Sequence, residues 1–119
     1  MKFISYFPMP SENVIHLSKA NFSSVTQESK KPTMVDFWAP WCGPCRALSG
    51  MLEEVAEAHP EWQIAKVNID EEPGLAEEFD VKAIPTLLFF NVKGVVVDHS
   101  VGGITKGDLI AKLNKAAQN

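Results

Sequence analysis

Val35-Asp36-Phe37-Trp38-Ala39-Pro40-Trp41-Cys42-Gly43-Pro44-Cys45-Arg46 decides the fold. The stretch begins as an apolar run fit for a buried strand, tightens into a turn and leads into an amphipathic helix. Both cysteines of the chain lie in it. With a helical rise of about 1.5 Å per residue and a Cα radius of about 2.3 Å, positions three apart lie roughly 5 Å from each other. A disulfide tolerates Cα separations of about 4.4–6.8 Å, so the pair can open and close with little backbone movement. The ring it closes is small and restrains the unfolded chain far less than a long-range bridge. Its value is chemical.

Cys42 is expected at the N-terminal end of the helix and Cys45 one turn inside. Unpaired N–H groups and the helix dipole favour an anion at that end by about 0.3–1 kcal/mol, which lowers the Cys42 thiol. Cys42 is then the attacking thiolate and Cys45 the thiol that resolves the mixed disulfide. Pro44 suits the first helical turn, where its missing N–H costs nothing, and Gly43 leaves room beside the nucleophile. A structural zinc site needs four ligands. There is no second cysteine pair, and His16, His59 and His99 are scattered without ligand spacing, so no metal is expected. A c-type haem attachment needs histidine after the second cysteine, and Arg46 stands there.

The chain has 119 residues, one domain's worth, with 45% apolar and 22% charged residues. A net charge of −4 gives no electrostatic case for nucleic acid or an anionic membrane. No apolar run approaches the roughly 20 residues of a membrane span. The N-terminal apolar stretch is interrupted at Ser5 and stopped by Pro8 and Pro10, which makes a poor signal peptide. A cytoplasmic protein is expected, since a free dithiol is sustained there.

Residues 1–13 read as an extension in which Phe3, Tyr6 and Phe7 either pack on the body or stay mobile; residues 14–119 read as the domain. Val14–Leu17 is a strand candidate. Ser18 can cap a helix over about 19–28 with Phe22 and Val25 on one face. Thr33–Trp38 suggests a strand covered on both faces. The next helix runs from about Gly43 to His59 with an inward stripe of Cys45, Leu48, Leu52, Val55 and Ala56, while Glu53, Glu54 and Glu57 face water. Ile64–Ile69 alternates as a strand, and Pro73–Phe79 fits a short helix. Pro85–Phe90 is a buried strand, Asn91–Gly94 a hairpin turn, and Val95–Val101 its antiparallel return. Thr105 and Asp108 resemble a capping box for a last helix facing inward with Leu109, Ile110, Leu113 and Ala117. The order βαβαβαββα implies an α/β fold: a mixed five-stranded sheet sandwiched between four helices.

These segments resemble the thioredoxin family. The resemblance rests on Trp41-Cys42-Gly43-Pro44-Cys45 after Val35–Ala39, on Ala65–Asp70, on Ile84-Pro85-Thr86-Leu87 and on Val101-Gly102, in that order, and spans about residues 14–117. It implies the thioredoxin fold and a dithiol protein-disulfide reductase, with Gly-Pro between the cysteines as in reducing members. By the same resemblance Asp36 helps to shuttle the proton of Cys45, Lys66 modulates Asp36, and Pro85 follows a cis bond. Trp41, Ile84, Pro85, Val101 and Gly102 form an apolar rim for substrate. Burial of Asp36 in an apolar strand also raises its pKa. A buried Asp–Lys pair that only joins two strands is the structural alternative, and Trp38 is either core filling or part of the site. The resemblance further implies no bound cofactor, re-reduction by an NADPH-dependent flavoprotein (thioredoxin reductase), protein disulfides as substrates and a monomer. Gly50 stands where many members have a kink-forming proline. The rival functions are an exported thiol oxidase or isomerase and a non-catalytic binding module.

Overall fold

The computed structural model describes residues 13–119. The expected contacts of Phe3, Tyr6 and Phe7 lie outside them. Strand β1 (Val14–His16) is followed by a π-helical segment (Ser24–Glu28), β2 (Thr33–Trp38), α1 (Gly43–Ala58), β3 (Gln63–Asn68), α2 (Pro73–Glu78), β4 (Thr86–Phe90), β5 (Val96–Val101) and α3 (Lys106–Gln118). The sheet order is β1-β3-β2-β4-β5. β3 runs parallel to both β1 and β2, whereas β4 pairs antiparallel with β2 and β5. This is the expected mixed sheet with two layers of helix.

β2 is central because Thr33 to Phe37 are all buried, which only a strand covered on both faces can satisfy. One face carries Met34, Ile64, Leu87 and Phe89 against Leu48, Leu52 and Val55 of α1 and Leu109 and Leu113 of α3. The other carries Val35, Phe37, Val67, Leu88 and Phe90 against Phe22 and Leu75. There Phe22, Phe37, Phe79 and Phe90 pack with ring centroids 5.0–6.0 Å apart, the tilted and edge-on range that aromatic quadrupoles favour. The stripe foreseen for α1 is fully buried, with Glu54 and Glu57 exposed and Glu53 half-buried.

The differences have local causes. The helix expected over 19–28 is shorter and widens into π geometry. Ser18 and Asn21 first tie a turn together, Asn21 Oδ1 accepting from Ser18 N at 2.7 Å. Thr26 and Ser29 hydroxyls then donate to the carbonyls of Phe22 and Val25, four residues back, competing with the α-helical ladder. β3 does not alternate between core and solvent, since Ile64 to Val67 are all buried. β5 begins one residue late because Asn91 Oδ1 accepts from Lys93 N and Val95 N, which keeps Val95 in the turn. That turn needs Gly94: its φ is +80°, and a Cβ there would stand 2.5 Å from Gln27 Cγ and 3.0 Å from backbone. In α3 the third inward residue is Ala116, and Ala117 is exposed. Seven residues from Leu109 is close to two whole turns, whereas eight overshoots the face. Thr105 Oγ1 accepts from Asp108 N at 3.1 Å, but among the described residues the return bond is absent. An aspartate is one methylene shorter than the glutamate such a box uses.

Candidate active site

The site stands where β2 ends and α1 begins. Cys42 is the N-cap residue of α1, in extended conformation, and Pro44 occupies the first turn. The capping atom is sulfur: Cys42 Sγ accepts from Cys45 N at 3.2 Å. Cys42 and Cys45 are joined as a disulfide with Cα atoms 5.3 Å apart, matching the helical estimate. Exposure is 6% for Cys42 and 1% for Cys45, so the first is the less covered of the pair. Ala39, Trp38, Ile69 and Ile84 surround them with apolar surface.

Three segments converge here. The Ile84–Pro85 bond is cis, and the Ile84 carbonyl oxygen lies 4.0 Å from Cys42 Sγ. Pairing of β4 with β5 places Val101 opposite Thr86, and Gly102 N donates to the Pro85 carbonyl at 2.8 Å. Gly102 has φ +85°, a left-handed conformation that suits glycine. Trp41 and Val101 are 66% and 58% exposed, and among the described residues only Val95 and Val96 are comparable large apolar side chains in water. All five residues expected in the rim therefore lie on the segments that meet at the cystine.

Behind the cystine, Asp36 is fully buried on the sheet face that α1 covers. Burial pushes its carboxyl up to about 7, with the Lys66 ammonium pulling the other way. Both its oxygens are without a hydrogen-bond partner among the described residues. Lys66 sits at the paired position on β3 but forms no ion pair with it among those residues. Its Nζ instead donates to Ser49 Oγ at 3.2 Å and lies 4.3 Å from the Trp38 ring centroid. A simple strand-joining ion pair is therefore not what this arrangement provides. Trp38 touches both the cystine surroundings and Lys66.

Sequence reasoning missed two contacts. Asp70 accepts from Trp41 Nε1 at 3.1 Å through Oδ2 and holds the exposed indole; it closes the Ala65–Asp70 segment, but nothing in the sequence ties it to Trp41. Ser49, on α1, reads as an ordinary helix-surface serine. Arg46 Nη1 donates to the Pro40 carbonyl at 3.0 Å and braces the turn from its outer side. Among the described residues no three His, Cys, Asp or Glu side chains gather as a metal site, and no helix is long and apolar enough to cross a membrane.

A sequence model of the thioredoxin family matches residues 13–115. Thioredoxin of Pyropia yezoensis is 38% identical over 104 residues, covering 87% of this chain and 96% of its own length. Thioredoxin of Acidithiobacillus ferridurans is 38% identical over 105 residues, with coverages of 87% and 96%. Thioredoxin 1 of Synechococcus elongatus is 40% identical over 100 residues, with coverages of 83% and 92%.

Proposed function

The chain belongs to the thioredoxin family and is a thiol–disulfide oxidoreductase that reduces protein disulfides, and from that premise we propose how its residues divide the reaction. The reduced Cys42 thiolate attacks one sulfur of a substrate disulfide and forms a mixed disulfide, releasing the other substrate sulfur as a thiolate that takes up a proton. Cys45 then gives its proton to the Asp36 carboxylate and attacks Cys42 Sγ. The second substrate thiolate leaves, and the Cys42–Cys45 disulfide remains. Two electrons have passed from the dithiol to the substrate.

The observation that carries this division is the position of Cys42 at the N-cap of α1, its sulfur accepting the Cys45 N–H. That bond and the helix dipole stabilise a thiolate at Cys42. Cys45, one turn in and more deeply covered, suits attack within the mixed disulfide. Asp36 suits proton transfer because a base works best when its pKa lies near the working pH, and burial brings it to about 7. Lys66 is the charge that moderates it. An extended substrate segment would lie along Ile84 and Pro85 with its side chains on Trp41, Val101 and Gly102, strand-like backbone pairing giving affinity.

The redox group is the cystine itself, so turnover needs an electron donor. An NADPH-dependent flavoprotein, thioredoxin reductase, is the donor this reading assigns, which makes the chain an electron carrier. The same reading has it act as a monomer in the cytoplasm, where a dithiol is kept reduced, with residues 14–119 sufficient for the reaction and residues 1–13 an extension. The division of labour is tested with Cys45→Ser, which is expected to stall as a mixed disulfide through Cys42. Accumulation of the adduct through Cys45 in Cys42→Ser instead would reverse the roles.

A further inference from the structure

Lys66 is held from two sides, and Asp36 is neither of them. Its ammonium donates to Ser49 Oγ at 3.2 Å and rests 4.3 Å from the Trp38 ring centroid. Ser49 is half-buried on α1, one turn beyond Cys45. Asp36 and Lys66 occupy paired positions on adjacent strands. No ion pair joins them among the described residues, and neither Asp36 oxygen accepts a hydrogen bond there. A lysine carries its charge on a flexible four-carbon stem, so from the same Cα the ammonium can go to the helix or to the carboxylate. Here it goes to the helix, at Ser49 Oγ.

We propose that Ser49 is a positioning residue of this reductase: its hydroxyl holds the Lys66 ammonium against α1 and denies Asp36 a direct ion pair. The proposal rests on the reading of Asp36 as the acceptor of the Cys45 proton, and it adds the residue that sets how well Asp36 can accept it. A direct ion pair would favour the carboxylate and lower its pKa further. Such an aspartate would stay ionised throughout the neutral range and make a weaker base. With the ammonium drawn off to Ser49, burial prevails and the carboxyl sits at about 7.

The surroundings leave Lys66 in sole charge of this balance. β4 pairs Leu87 with Asp36, and α3 covers this face with Leu109 and Leu113. On α3, Lys106 is engaged with Glu54 and Lys112 with Asp98. From α1 come the two cysteines and, one turn past Ser49, the half-buried Glu53. Among all of these, Lys66 is the charge that acts on Asp36.

The test is the titration of the Asp36 side-chain carboxyl carbon by NMR in the oxidised full-length protein, where the cysteines do not titrate. Ser49→Ala favours the helix and keeps the fold. It is expected to lower the Asp36 midpoint by about one unit and to move the acid limb of kcat/KM for insulin reduction down with it. In a Lys66→Met background the same substitution should move the midpoint no further. An unchanged midpoint in Ser49→Ala, or an equal displacement with and without Lys66, would overturn the proposal. Because the titration is read without turnover, it is separate from Asp36 as proton acceptor, which fails if Asp36→Asn reduces insulin at the wild-type rate.

Discussion

Replacing Asp36 by asparagine should change how stability depends on pH, and the size follows from how far its carboxyl is raised. Burial pushes the folded carboxyl up to about 7, against an ordinary 3.8 for an aspartate in water. Between those values the folded chain binds a proton that the unfolded chain has lost, so wild-type stability falls as pH rises through this window. At about 1.4 kcal/mol per unit, the loss attributable to Asp36 between pH 4.5 and pH 8 is about 3 kcal/mol. Asparagine does not titrate, and its pH-independent cost or gain cancels when the two pH values are compared. Glu61 and Asp98, whose carboxyls are lowered by His59 and Lys112 respectively, are common to both proteins and cancel as well. Urea unfolding of the oxidised proteins reads the effect. The midpoint advantage of Asp36→Asn over wild type should grow by about 1–3 M from pH 4.5 to pH 8, given slopes of about 1–3 kcal/mol/M. Parallel pH profiles for the two proteins would refute a raised carboxyl at this position.

The remaining predictions separate docking from folding. Val101→Glu places a charge in the rim at a side chain already 58% exposed; stability should stay within about 0.5 kcal/mol while KM for insulin rises several-fold at constant kcat. A fall in kcat with KM unchanged would remove Val101 from the docking surface. Thr105→Ala removes the N-cap bond of α3 and should cost about 1 kcal/mol in urea unfolding. Insulin kinetics should not change, and a loss of activity at unchanged stability would contradict a purely structural cap.

Much of the site was legible because its chemistry is local. The Cys-Gly-Pro-Cys spacing fixes the helix geometry, and the observed 5.3 Å separation lies where that geometry puts it. Thr33–Trp38 announces a central strand by lacking alternation, and the hairpin announces itself through Asn91 and Gly94. Pro85 and the rim rested on resemblance, since segments from β4, the β5–α3 connection and the turn after β2 meet only through the sheet order. The first helix misled because serine and threonine hydroxyls at i and i+4 look harmless in a hydrophobic pattern yet compete for backbone carbonyls. Ala116 and Ala117 are chemically equal, and only the phase of the helix separates them. Ser49 and Asp70 were invisible for another reason. Each acts through one long-range hydrogen bond, 17 and 29 residues away in the chain, which neither propensity nor periodicity encodes.

The central claim is tested most directly by following the reduction of insulin by dithiothreitol with wild type, Cys42→Ser and Cys45→Ser. The account predicts strong acceleration by the wild type, none by Cys42→Ser, and for Cys45→Ser a single adduct with an insulin chain bound through Cys42. A folded, fully reduced wild type that left the rate unchanged would contradict it.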